Sequence, residues 1–197
     1  MDAAALRGSG QRALLSDNTS AHNNLRQQAA ACGLDPARLV FADRLPLDRH
    51  LARQRLADLF LDTLPYNAHT TVSDALWAGL PVLSCRGTTF AGRVAASLLN
   101  AAGLPELVTG SLQEYEEMAL KLATDASLLG SIRRKLAQNR LSCPLFDTDR
   151  FRRHIEAAYL TAWEIYQRGE PPRSFSVGPC PLLDTALTPG LQGAPSL

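Results

Sequence analysis

The chain has 197 residues, 46% of them hydrophobic and 20% charged, and a formal net charge of +1. Such a composition supplies enough apolar surface for a sizeable core and excludes disorder over the whole length. No window approaches the roughly 18 uninterrupted apolar residues of a membrane span. The near balance of acids and bases excludes the basic surface of a non-specific nucleic-acid binder.

In chain order, Arg12–Ser16 reads as a short strand, and Ser20–Ala31 as a helix with Ser20 at its N-cap and Gly33 as its stop. Arg38–Ala42 is a second strand after the Asp35-Pro36 turn, and Leu47–Arg55 a second helix. Leu59–Leu61 is a third strand, Thr71–Ala78 a helix stopped by Gly79, and Pro81–Ser84 a fourth strand. Phe90–Ala102 is a helix ended by Gly103 and Pro105. Short apolar strands alternating with amphipathic helices specify an α/β fold, a parallel sheet with helices on both faces. Beyond residue 110 the periodicity is helical throughout, over Leu112–Ala123, Ser127–Asn139 and Asp149–Gln167, with Gly169 as the last stop. Residues 171–197 are rich in proline and read as a disordered tail.

Cys32, Cys85, Cys143 and Cys180 are too far apart for a zinc site or a disulfide framework, so reduced thiols and a cytoplasmic location are expected. Met1–Asn18 lacks the apolar core of a signal peptide. Gly8-Ser9-Gly10 precedes a strand instead of following one, so it is not a dinucleotide-binding turn. The expectation is that the chain is the later part of a larger protein. Of the twenty basic residues only Lys121 and Lys135 are lysines, so no lysine precedes position 121.

Chemistry concentrates in Asp58–Pro81, DLFLDTLPYNAHTTVSDALWAGLP. A buried strand ends at Asp62-Thr63, a loop follows, and His69-Thr70-Thr71 opens a helix. Free N–H groups and two hydroxyls at a helix N-terminus, at the carboxyl end of a parallel strand, favour a phosphate or pyrophosphate. Asp74 lies four residues after Thr70 on the same helix face, where a carboxylate can accept from ribose hydroxyls. The same residues also fit an ordinary N-cap, a satisfied loop histidine and a surface or first-turn acid. His50 and Arg53 share a helix face, suited either to stacking on a planar base or to a solvated basic surface. Arg93 fits either a phosphate contact or a structural ion pair. Asp147-Thr148-Asp149 lies between helices and reads as capping, so no metal site is expected.

The run FLDTLPYNAHTTVSDALWAGLPVLSCRGTTFAGRVAASLL (Phe60–Leu99) resembles the catalytic region of O-linked N-acetylglucosamine transferases, most of all the bacterial SPINDLY-type members with tetratricopeptide repeats. The likeness extends through LPELV (Leu104–Val108), EYEEMALKLA (Glu114–Ala123), PLFDTDRF (Pro144–Phe151) and the helix with Tyr159 and Trp163. It reaches back over RLVFADRLPLDRHLARQRLAD and covers roughly residues 12–170. The resemblance implies the Rossmann-like C-terminal half of a GT-B glycosyltransferase, N-terminally incomplete. It also implies UDP-N-acetylglucosamine as donor substrate, Ser or Thr of a protein as acceptor, and no cofactor or metal. By motif match, His50 and Arg53 would lie at the uracil, His69, Thr70 and Thr71 at the diphosphate, and Asp74 at the ribose.

Two departures stand out. The family carries a glutamine and a lysine near the start of this half, and a lysine where Leu47 stands here. The N-terminal half, with its active-site histidines, and the acceptor-binding repeats are also missing from this sequence. The isolated chain is therefore expected to be a donor-binding fragment with little or no turnover. The alternatives are a non-catalytic UDP-binding module, or a related transferase using GDP-fucose or UDP-glucose.

Overall fold

Four consecutive residues of one strand, Val82–Cys85, are all buried. Successive strand side chains point to opposite faces, so this strand is covered on both sides and lies inside a layered α/β structure. The computed structural model describes residues 18–179 in full and the backbone of 3–6 and 12–15. Gly8-Ser9-Gly10, Cys180 and the remainder of the proline-rich tail lie outside the described residues, while residues 171–179 run without helix or strand.

The strands are β1 (Ala3–Leu6), β2 (Arg12–Leu15), β3 (Leu39–Ala42), β4 (Ala57–Leu61), β5 (Val82–Cys85) and β6 (Val108–Thr109). The helices are α1 (Thr19–Ala31), α2 (Leu47–Gln54), α3 (Thr70–Ala78), α4 (Val94–Ala101), α5 (Leu112–Thr124), α6 (Ala126–Asn139) and α7 (Thr148–Gln167). The sheet order is β3-β2-β1-β4-β5-β6. Pairings β2–β3, β4–β5 and β5–β6 are parallel, as the alternation of strands and helices predicts. β1 runs antiparallel to both β2 and β4. It escapes the sequence reading because Ala-Ala-Ala-Leu has weak strand propensity, and pairing on both edges supplies what the residues lack. β6 escapes because two residues have no periodicity to read.

Phe60 of β4, Val82 and Leu83 of β5, Leu76 of α3 and Leu99 of α4 are buried together with Leu122 and Leu136 of α5 and α6. Arg133 of α6 reaches the beginning of β4, donating from Nη2 to the carbonyls of Ala57 (2.7 Å) and Asp58 (3.0 Å) and to Asp58 Oδ1. Asp125 terminates α5 and also caps α6, its carboxylate accepting from Leu128 N–H. The chain divides after Asp147 into two compact units, and α7 stands in the second. Asp149 lies in the first turn of α7 and pairs with Arg152, which also pairs with Glu156.

Two helix starts differ from expectation. Asn18 caps α1 in place of Ser20, its Oδ1 accepting from the N–H groups of Ser20 and Ala21. α4 begins at Val94, not Phe90. Residues 87–92 form a closed loop, in which Gly87 N–H donates to the Gly92 carbonyl at 2.6 Å and Gly92 N–H to Thr89 Oγ1 at 3.1 Å. These bonds take the backbone out of the helical path.

All four helix-stopping glycines read from the sequence adopt positive φ. A Cβ on Gly33 would meet nothing within 4 Å, whereas a Cβ on Gly103 would lie 2.6 Å from Asn139 Nδ2. Gly33→Ala should therefore cost about 1 kcal/mol of stability, and Gly103→Ala about 2–3 kcal/mol, because overpacking adds to left-handed strain. Urea denaturation of both variants checks this, and equal losses would contradict the contact.

Candidate functional site

The site is built where β4 ends. Asp62, 5% exposed, holds the following loop through its carboxylate. Oδ1 accepts from the N–H groups of Thr63 (2.9 Å) and Ala68 (2.7 Å), and Oδ2 accepts from the Ser84 hydroxyl of β5. The Asp62 carbonyl accepts from the Tyr115 hydroxyl of α5 at 2.9 Å. Asn67 is fully buried inside the loop and donates from Nδ2 to the Thr63 carbonyl at 3.0 Å. Leu64-Pro65 is a cis peptide.

This loop delivers the chain to α3 with His69 as N-cap residue, and no side chain caps the helix. Thr70 and Thr71 occupy the first two helical positions, so they are not the N-caps that such residues often are. Among the described residues, nothing accepts from the backbone N–H groups of Thr70 and Thr71. Those two donors, two hydroxyls and the positive end of the helix dipole face an open cleft of about 630 Å3. Thr63, Tyr66, Asn67 and His69 also line it. His69 packs against two aromatic rings. Tyr66 stacks on it at 4.9 Å and Phe90 meets it edge-on at 6.2 Å. Its Nε2 lies 3.3 Å from the Ala91 carbonyl. A carbonyl only accepts, so Nε2 carries the hydrogen and Nδ1 is left for other partners.

One turn along α3, Asp74 meets α2. Its Oδ2 is 3.9 Å from His50 Nε2. His50 Nδ1 is 3.3 Å from Arg53 Nη2 and its Nε2 is 3.3 Å from Gln54 Nε2; both neighbours only donate, and a neutral imidazole accepts at one nitrogen alone, so the ring takes a hydrogen bond from one of them at a time. Arg53 also donates from Nη1 to the Asp43 carbonyl at 2.8 Å, which fixes its position. The α2 face with His50 and Arg53 is thus half-buried and organised, not a freely solvated basic surface. Gln54, 9% exposed, touches His50 Nε2 from the interior side at 3.3 Å.

The structure therefore gathers the six predicted residues into two adjoining groups along α3: His69, Thr70 and Thr71 at its start, and His50, Arg53 and Asp74 one turn further. Sequence reading missed Asp62, Asn67, Ser84 and Gln54. The signal for Asp62 was an acidic residue closing an otherwise apolar strand. Leu47, where the family resemblance expects a lysine, is the first residue of α2 and is 64% exposed. Arg93 lines a separate groove with Arg86 and forms no ion pair among the described residues.

Residues 13–155 match the model of the glycosyl transferase family 41. The chain belongs to that family. It is 40% identical over 153 residues to the probable UDP-N-acetylglucosamine–peptide N-acetylglucosaminyltransferase SEC of Arabidopsis thaliana, covering 77% of this chain and 16% of that protein. The Caenorhabditis elegans UDP-N-acetylglucosamine–peptide N-acetylglucosaminyltransferase is 39% identical over 75% of this chain and 13% of its own length. The probable SPINDLY transferase of Solanum lycopersicum is 37% identical over 71% of this chain and 15% of its own. A solved mutant of the Thermobaculum terrenum O-GlcNAc transferase superposes with a TM-score of 0.74 at 33% identity, covering 80% of this chain and 31% of that one. The family 41 chain thus spans about one-sixth or less of these curated relatives.

Two loops meet beneath the cleft. Asn67 N–H donates to the Ala91 carbonyl at 3.1 Å, and a Cβ on Gly92 would stand 3.0 Å from the Pro65 carbonyl and 3.2 Å from Gly87 Cα. Gly92→Ala should lower stability by about 1–3 kcal/mol and speed hydrogen exchange at the Asn67 amide. A variant as stable as its parent would show that the loops can part without cost.

Proposed function

We propose that this chain supplies the donor-nucleotide site of a protein O-glycosyltransferase, one that moves N-acetylglucosamine from UDP-N-acetylglucosamine to Ser or Thr of a protein. The observation that carries the reading is the uncapped start of α3, with the N–H groups and hydroxyls of Thr70 and Thr71 open to the cleft and Asp74 one turn away facing His50. The names of the curated relatives supply the donor and the acceptor class.

In this reading the diphosphate lies at the start of α3, where backbone donors and the helix dipole favour negative charge. Asp74 accepts from the ribose hydroxyls, and His50 with Arg53 meets the uracil. In transfer, the acceptor oxygen bonds to the anomeric carbon as the bond to the diphosphate breaks, charge builds on the departing phosphate, and the hydroxyl proton passes to that diphosphate or to water. The N–H groups and hydroxyls of Thr70 and Thr71 stabilise that charge in part.

A specific observation favours a weakly active or inactive isolated chain. Among the described residues no lysine or arginine lines the cleft, and a developing phosphate charge calls for a cation. On this reading the chain binds UDP without efficient turnover.

Calorimetric titration with UDP, and with GDP as control, tests the site. UDP should bind selectively, and His50→Ala or Asp74→Ala should weaken it by about tenfold or more, equivalent to about 1.4 kcal/mol. Equal affinity for GDP would point to another donor. No binding to the folded chain would refute a self-sufficient nucleotide site.

A further inference from the structure

We infer that Asp62 is a positioning residue for this nucleotide site, acting with Ser84 and Tyr115 to set where α3 begins. The inference rests on the reading of α3 as the diphosphate site.

A buried carboxylate is costly unless its lone pairs are filled, so its partners are part of the design of the site. Here the partners come from the three elements that surround the cleft floor. Oδ1 receives Thr63 N–H at the first residue of the loop and Ala68 N–H at its end, so one oxygen draws the two ends of the loop together. Ala68 is two residues before Thr70. Its bond to Asp62 at 2.7 Å therefore fixes the height at which the first free N–H groups of α3 emerge. Oδ2 takes the hydroxyl hydrogen of Ser84, itself fully buried, and the Ser84 carbonyl accepts from Thr109 Oγ1 at 3.2 Å. Tyr115 holds the Asp62 carbonyl from α5. The loop end is thereby referenced to β5, β6 and α5, while none of these side chains lies among Thr63, Leu64, Tyr66 and the other residues that line the cleft. Asp62 touches no ligand in this arrangement and acts through Ala68 on Thr70 and Thr71.

The test uses the 197-residue chain and three variants, Asp62→Ala, Asp62→Asn and Tyr115→Phe. Each is titrated with UDP at a temperature where circular dichroism shows it folded, and amide hydrogen exchange is followed at Thr63, Ala68, Phe60 and Leu83. Asp62→Ala should weaken UDP by about tenfold or more, since small displacements of binding groups are costly. It should also release the Thr63 and Ala68 amides while Phe60 and Leu83 stay protected. Asp62→Asn should recover most of the affinity, because its oxygen still accepts from both N–H groups and its amide can donate to Ser84. Tyr115→Phe keeps the ring and should weaken UDP to a smaller degree, which leaves a readout if Asp62→Ala does not fold.

Unchanged UDP affinity in folded Asp62→Ala, or an Asp62→Asn variant no better than Asp62→Ala, would overturn the positioning role. If the parent chain itself fails to bind UDP, the nucleotide reading falls, and exchange at Ala68 then decides the loop separately. Equal exchange at Ala68 in parent and Asp62→Ala refutes the tether.

Discussion

A carboxylate buried at the end of a strand must find hydrogen-bond donors, and this requirement organises the middle of the chain. Asp62 finds them in the two ends of the loop that follows it and in the neighbouring strand. Once the loop is tied back, α3 has to start close to the end of β4. The helix then lies against α2, α4 and β5, and its second turn brings Asp74 to His50. Remove the tether and each later relationship loses its reference point, although the apolar core around Phe60, Leu76 and Leu83 would still drive collapse.

In the proposed reading, the cleft above this tether holds an anion through backbone geometry. The donors are amide groups and hydroxyls on a short helix, and among the described residues the lining contributes no lysine or arginine. Dipolar donors of this kind select for shape and position more than for charge alone. The chain spans a small part of its family 41 relatives.

Much of the fold was legible because its signals are local. A glycine after an apolar helical run has a fixed meaning, and Gly33, Gly79, Gly103 and Gly169 all take up the left-handed backbone that ends a helix. Thr70 and Asp74 were legible as neighbours for the same reason, since a spacing of four places them on one helix face. What escaped depends on partners distant in sequence. β1 is a strand because β2 and β4 flank it, not because of its alanines. The late start of α4 follows from a hydrogen bond between Gly87 and Gly92. Asp62 and Ser84, 22 residues apart, become a pair only when β4 and β5 align. Gln54 belongs to the His50 group through burial, which no periodicity in an arginine-rich helix reveals.

The close approach of Gly92 to Pro65 also bears on how this region can change over time. Residues 63–69 and 86–93 touch backbone to backbone at Pro65–Gly92 and Asn67–Ala91, where no side chain stands between to absorb a difference in shape. An insertion in either loop would press directly on the other, and with it on the base of the cleft. The two segments therefore form a single inheritable unit. Exchanging one of them between family members without the other would break the fit, whereas moving both together would carry the floor of the site intact into a new background.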